Sequence, residues 1–482
     1  MAIIQDIFRH MGGDGTEFYN FMRKSYSRDD MVAEGIAQYN ADGHSVANPS
    51  LRPDKIIFVP SGEKNKDGSD KLTTDTSSVS RAPIALQKYI INQKASFTYG
   101  DGVELKPNEE DSRLFDAVFE NWDEAKIDFI LTDIARIMMA ETQVAVVFFN
   151  RKDEDGGKSS FRTKLWYPSN GDKLEPFFDD ETGDLYAFGR EYKSGKDTLY
   201  DLYIINQQGF VEIRRFKNGS PRMVEVDVPI VGIDGEVSYR ADLVEDIIVT
   251  PYTKLPIIYG EQLTPECHDS RDLIRELEWS FNDFLTQMGY TGDPILFLKG
   301  MTMDLPAKGK QGKVIENPTG DGDAYFLESN SAHDARKLTF DMLMKFIGIV
   351  NRTVFMDAET LTQLSLESGE ALERMLVDVY ADAEDRQRGR WGLFVQRMIN
   401  WLLHEHRVLM GGVEPELKIK AVFSQKTFRG ESERIELAMK ANGGKPVITH
   451  ETSIAWAGKE DDVQKALEII NQGTNGNNSN ES

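Results

Sequence analysis

The residue groupings in this chain that could carry chemistry are few, and each falls short of what its chemistry needs. Gly156-Gly-Lys-Ser159 echoes the end of a phosphate-binding loop. The first glycine of such a loop would fall at Lys152, and no helix is expected after Ser159 to direct its N-terminus at a phosphate, so a charged hairpin tip is the better reading. His404-Glu-His406 spaces its imidazoles two residues apart, on different faces of a helix, whereas a zinc-binding helix needs them four apart. A solvated helix end is expected there instead. Asp321-Gly-Asp323 lacks the remaining ligands of a calcium loop and reads as a turn. The single cysteine, Cys267, excludes an intrachain disulfide and a cysteine zinc cage, and no Gly-x-Ser-x-Gly elbow is present. Seven scattered histidines add no nucleophile site, and with acids throughout the chain none stands out for acid or base work. The sequence thus points away from an enzyme and from any metal or cofactor.

Composition narrows the classes further. A chain of 482 residues predicts about three domain-sized units. With 40% hydrophobic and 28% charged residues it has a soluble, globular balance. The longest apolar run, Val144 to Phe149, is strand-length, so no membrane span is expected. The beginning, Met-Ala-Ile-Ile-Gln-Asp, lacks a basic region followed by an apolar core, so no secretion signal is expected, and a reducing cytoplasm is the expected place of synthesis. The 56 Lys and Arg are outnumbered by 80 Asp and Glu, for a net charge of −24, which argues against tight binding of free duplex. An acidic wall would, however, let DNA slide where a basic wall would hold it; a solubilising surface charge accounts for the same number.

The elements that would position any site are clearest between Pro265 and Leu409. Leu273, Leu277, Phe281 and Leu285 recur every four residues, with Ile274, Phe284 and Met288 beside them, predicting a helix from Pro265-Glu266 to about residue 290. Residues 291–331 follow as a Gly-, Lys- and Asp-rich insertion with short strands at Pro294–Gly300, Lys313–Glu316 and Ala324–Glu328. A second helix is expected over 332–353, with Leu338, Met342, Phe346, Ile349 and Val350 at helical spacing. After a gap at 354–368 a very long helix is expected to about Leu409. The first two helices would be ~30–37 Å long, a rod with a β head, and their apolar stripes would need cover from elsewhere in the chain or from other copies.

This order resembles that of the portal proteins of tailed bacteriophages, most of all the family typified by the portal of the Bacillus phage with a long flexible tail. The matching stretches are Arg275-Glu-Leu-Glu-Trp-Ser-Phe-Asn-Asp283, Asp293-Pro-Ile-Leu-Phe-Leu-Lys-Gly300, Leu366-Glu-Ser-Gly-Glu-Ala-Leu372 and Lys445-Pro-Val-Ile-Thr-His-Glu-Thr452, and the resemblance covers roughly Arg81 to Leu467. It implies an α+β portal fold with a division into an N-terminal arm and linker (1–80), a wing of helices and antiparallel sheet (81–264), two stem helices (265–290 and 332–353) and a β clip (291–331). Beyond these it implies a tunnel loop (354–368), a long wing helix and strand (369–425), a crown (426–470) and a disordered tail (471–482). It further implies a ring of about twelve copies built by one repeated head-to-tail contact. The ring would sit at a capsid vertex of the virion and pass double-stranded DNA in packaging and ejection. Its partners would be the large terminase subunit, the major capsid or scaffold protein and head-completion or adaptor proteins, with no membrane involved.

Residue by residue, the resemblance places Met356, Glu359, Thr360, Leu361, Gln363, Leu364 and Ser365 in the tunnel loop, which is too apolar for an ordinary solvated loop of its length. Arg336, Lys337, Lys345 and Arg352 would line the bore as basic rings or pair with acids such as Glu276 and Glu278. Lys308, Lys310 and Lys313 in the clip would meet DNA or the next ring, or simply solubilise an exposed tip.

Elsewhere, Ser61 to Ser80 reads as a linker or exposed loop, and Arg386-Gln-Arg-Gly-Arg390 as a solvated basic segment with a possible kink at Gly389 or Gly392. Residues 160–259 alternate with period two between turn signals such as Asn218-Gly219, predicting a sheet of hairpins with Leu255–Tyr259 as its last strand. The runner-up is an enzyme or assembly factor of unknown reaction sharing the helix, insertion, helix order. A nucleic-acid-binding adaptor is a third reading.

Overall fold

The apolar run at Val144 lies at the centre of the molecule. In the computed structural model the described residues are 19–20, 22, 28–66, 70–100, 102–108, 112–152, 159–178, 183–206, 208–231, 237–291, 295–299, 323–327, 333–355, 373–412, 417–423, 431–442, 449–457 and 467. In chain order they form α1 (Asp29–Tyr39), the hairpin β1 (Lys55–Lys64) and β2 (Asp70–Ser77), α2 (Leu86–Thr98), β3 (Val103–Pro107), α3 (Arg113–Glu124) and α4 (Ile127–Glu141). The strands β4 (Gln143–Lys152), β5 (Ser159–Trp166), β6 (Lys173–Phe178), β7 (Leu185–Ser194), β8 (Asp197–Ile205), β9 (Val211–Lys217) and β10 (Ser220–Pro221) follow. Next come β11 (Met223–Val231), β12 (Val237–Glu245), β13 (Ile247–Val249), β14 (Ile257–Glu261), α5 (Arg271–Thr291), β15 (Ile295–Lys299) and β16 (Asp323–Leu327). The C-terminal part holds α6 (His333–Asn351), α7 (Val377–Arg388), α8 (Arg390–Leu409), β17 (Ile419–Phe423), α9 (Glu431–Asn442) and α10 (His450–Ala457).

Residues 143–148 of β4 are buried without alternation, because β4 is the middle strand of a β14-β4-β5 sheet and its two faces are both covered. Met138 and Met139 of α4 and Phe394, Met398 and Leu402 of α8 join that core, and Phe148 stacks on Trp401 with ring centroids 4.5 Å apart. Each such fully buried side chain contributes about 1.5–3 kcal/mol. The neighbouring sheet runs β10-β9-β8-β7-β6 with β13 on β9, and Tyr19 and Met22 pack among its Tyr200, Leu202 and Phe216. The Asn218-Gly219 signal holds: both residues take positive φ, at 49° and 87°, and join β9 to β10. Every strand pair among the described residues is antiparallel, so the fold is α+β as expected.

Several expectations are corrected. Residues within 61–80 are not a linker: Lys55–Lys64 and Asp70–Ser77 pair as an antiparallel hairpin. Threonines at 73, 74 and 76 suit a pleated strand, and composition alone hides that preference behind their polarity. Residues 257–261 do not close the hairpin sheet but pair with β4, where Ile257, Ile258 and Tyr259 can be buried. The first long helix begins at Arg271, not Pro265, because residues 265–270 form turns that set Glu266 into a buried ion network. The long C-terminal helix is two, α7 and α8, broken at Gly389, whose backbone takes ψ −143°. A Cβ on Gly392 would lie 1.8 Å from the Gln387 carbonyl oxygen, so the bend needs glycine there. The strand expected at Lys313–Glu316, the loop motifs at Gly156 and Asp321, and most of the helix expected over 461–470 lie outside the described residues.

Candidate functional site on the paired helices α5 and α6

Helix α5 carries a polar stripe, Glu278, Asn282 and Thr286, four residues apart and buried. Its cover comes from the chain's own N-terminal arm. Glu278 accepts from the His44 Nδ1 at 2.7 Å and from the Ile84 backbone N–H at 2.7 Å. Asn282 accepts from the Ala82 N–H (2.6 Å) and the Ser80 hydroxyl (2.9 Å), and donates to the Ala82 carbonyl (2.8 Å). Thr286 accepts from the Ser80 N–H at 3.0 Å, Arg52 pairs with Asp283 at 2.7 Å, and Trp279 donates to Ser45 at 3.1 Å. Burial pulls the His44 imidazole down, but its hydrogen bonds to Glu278 and to the Gln38 carbonyl outweigh this and leave its pKa raised. Of the two sources of cover expected for the helix pair, α5 thus draws on its own chain. The i, i+4, i+8 run of polar residues was the available signal, but its partners lie more than 190 residues away.

Helix α6 is different. Ile347 and Asn351 face inward, while Leu338, Met342, Phe346, Ile349 and Val350 remain 47–62% exposed. At 3.6 residues per turn these five occupy about one third of the helix circumference, a continuous apolar stripe. The helix ends in a left-handed cap: Arg352 has φ 49°, the Thr353 N–H bonds to the Gly348 carbonyl (2.9 Å), and the Arg352 N–H bonds to that of Ile349 (3.2 Å).

The basic residues expected on this helix do not share one environment. Arg336 turns toward α5, bonding Gln287 and lying 5.8 Å from the Phe284 ring centroid. Arg352 pairs with Asp385 of α7 at 3.2 Å. Lys337 and Lys345 are exposed and in no ion pair among the described residues. Of the proposed acid partners, Glu278 is spent on His44 within the chain, and Glu276 is exposed. Met356, Glu359, Thr360, Leu361, Gln363, Leu364 and Ser365, and Lys308, Lys310 and Lys313, lie outside the described residues.

Behind the helix pair sits a network that sequence reasoning missed. Lys94 of α2 meets Glu266 at 2.6 Å and Asp382 at 3.4 Å, and Arg386 meets the same two acids at 2.6 and 2.9 Å. Burial pushes the Glu266 carboxyl up, but Arg386 and Lys94 more than offset this and hold it below the ordinary range. Arg386 is thus not solvated, as expected for its basic segment, but fixes α7 to the approach to α5. Nor is 404–406 a solvated helix end. Glu405 is buried, His404 shares a 2.7 Å hydrogen bond with the Thr253 hydroxyl, and His406 lies edge-on to Phe161. Among the described residues no group of acids, histidines and cysteine is placed to hold a metal, and burial pushes the Cys267 thiol up to about 12, far from a reactive thiolate.

The geometry is therefore one of packing surfaces on a braced helix pair. No described helix is long and apolar enough to cross a membrane. A search of curated proteins found no match. The family described as phage portal protein, SPP1 Gp6-like, matches residues 38–479, which includes His44, Arg52 and Ser80 of the arm, both helices and the braces behind them. Since that match spans nearly the whole chain, the protein belongs to the phage portal proteins of the SPP1 Gp6-like family.

Proposed function

We propose that this protein is the repeating unit of a closed portal ring at one capsid vertex, through which the genome is packaged and ejected. The observation that carries the ring is the bare stripe on α6. One helix of the pair is clad by its own arm, whereas the other offers Leu338, Met342, Phe346, Ile349 and Val350 to water. A continuous apolar stripe exposed on a protein that is otherwise strongly acidic marks an interaction surface. A head-to-tail contact that covers it in every copy makes a ring when its rotation closes, as it does on this reading. On this reading the stretch 356–365 is the tunnel loop, Lys337 and Lys345 face the bore, and Lys308, Lys310 and Lys313 belong to the clip that meets the next ring. The large terminase subunit docks on the ring, ATP hydrolysis stays with that motor, and the major capsid or scaffold protein and the head-completion proteins seat around it. The portal's own role is structural.

End-on electron microscopy of the purified protein tests this. From a protomer of 54.6 kDa, rings of about twelve copies, near 650 kDa by light scattering, are expected. A compact monomer at all concentrations would overturn it. The nucleic-acid-adaptor alternative predicts salt-sensitive binding to free duplex, and little such binding is expected of a chain with net charge −24.

A further inference from the structure

The end of α8 and strand β17 line a cleft of about 480 Å³. Among the described residues its lining carries charge opposite to that of the protein. Lys254, Arg407, Lys418 and Lys420 all line it, in a chain that carries 24 more acids than bases. Lys254, Lys418 and Lys420 are exposed, and none of the four is in an ion pair among the described residues. His404 lies between them. Burial first, and then the positive charges of Lys254 and Arg407, hold its imidazole below the ordinary value, so it stays neutral at neutral pH. The buried acid Glu405 accepts from the backbone of Lys254 and Thr253 and feels the positive charge of Lys254.

The floor of the cleft is apolar. Leu403, Leu417 and Ile419 form it. The free edge of β17 is closed: the Gln396 amide donates to the Ile419 carbonyl (2.7 Å) and accepts from the Ala421 N–H (3.1 Å), taking the place of a neighbouring strand. An occupant is therefore held by its side chains and not by strand addition. A long polyanion such as duplex DNA meets the repulsion of the whole acidic surface, which a short segment seated inside the cleft largely escapes. A cationic rim above an apolar floor suits carboxylates interleaved with aliphatic side chains.

We propose that this cleft is a docking site for an acidic, leucine-bearing peptide segment of a second protein. The proposal does not rest on the ring reading, whose contact is placed on α6. The test is fluorescence anisotropy of the full-length protein with a fluorescein-labelled short peptide alternating glutamate and leucine. Binding is expected that weakens as sodium chloride rises and disappears when glutamine replaces glutamate in the peptide. The double variant Lys418→Glu, Lys420→Glu, altered at two exposed positions, should bind about tenfold or more weakly. The pair Lys55→Glu, Lys71→Glu on the remote hairpin should bind as the wild type does. Equal binding by both variants, no binding by wild type, or tighter binding of a labelled oligothymidylate than of the peptide would each overturn the assignment. The salt and glutamine-peptide arms use unaltered protein, so they decide whether the peptide is held by its charge even if the Lys418/Lys420 variant folds poorly, and the single exposed change Lys254→Glu, expected to weaken binding severalfold, then decides the place.

Discussion

Replacing Phe346 and Ile349 with serine should dismantle the assembly while leaving the protomer folded. Both side chains are about half exposed, at 49% and 62%, so much of their hydrophobic contribution is still to be gained when a neighbouring copy covers them. Full burial of such a side chain contributes about 1.5–3 kcal/mol, which leaves about 1 kcal/mol for each at the contact. Losing both weakens every contact by about 2 kcal/mol, or about thirtyfold in its association constant. The protomer itself should lose less than about 1 kcal/mol. Mass photometry over a dilution series would show the midpoint of assembly moving to higher concentration, with little change in thermal unfolding of the monomer. Ile347→Ala is the mirror control, since Ile347 is fully buried. It should cost about 2–5 kcal/mol of protomer stability by opening a cavity. Should the double serine variant assemble at the wild-type midpoint, the stripe is not the contact and the argument for α6 fails.

Three further outcomes follow from the interior. Glu266→Gln leaves Lys94 and Arg386 with half their acids, and should lower stability by about 3–5 kcal/mol in denaturant titrations. Burial raises the Glu405 pKa from 4.5 to about 7, so its contribution is fully present below pH 4.5 and is lost as pH rises through about 7. Glu405→Gln should therefore gain on the wild type by on the order of 2–3 kcal/mol between pH 4.5 and pH 8, read from denaturation curves at each pH. Gly392→Ala drives a methyl group toward the Gln387 carbonyl and should cost about 2 kcal/mol or more in thermal melts.

What could be read from the sequence was whatever neighbours in the chain decide. The period of Leu273, Leu277, Phe281 and Leu285 marked α5, the run from Val144 marked a strand, and Asn218-Gly219 marked the turn from β9 to β10. The family likeness, carried by short stretches in a fixed order, agrees with the match over 38–479. What stayed hidden depended on partners far along the chain. Arg386 looked solvated because Glu266 and Lys94, which bury it, lie 120 and nearly 300 residues earlier. The arm's grip on Glu278, Asn282 and Thr286 was unreadable for the same reason. The hairpin at 55–77 was missed on composition, since serine and threonine serve loops and strands alike.

The arm's hold on α5 also orders events during synthesis. His44 leaves the ribosome 234 residues before Glu278, a delay of about 10–50 s at about 5–20 residues per second. Until then the segment around His44, Arg52 and Ser80 has no helix to close on. The exposed apolar side of α6 is made only after α5, so each newborn chain holds every residue of its own clasp before that surface exists. On the ring reading, such a timetable lets the clasp form before copies can meet.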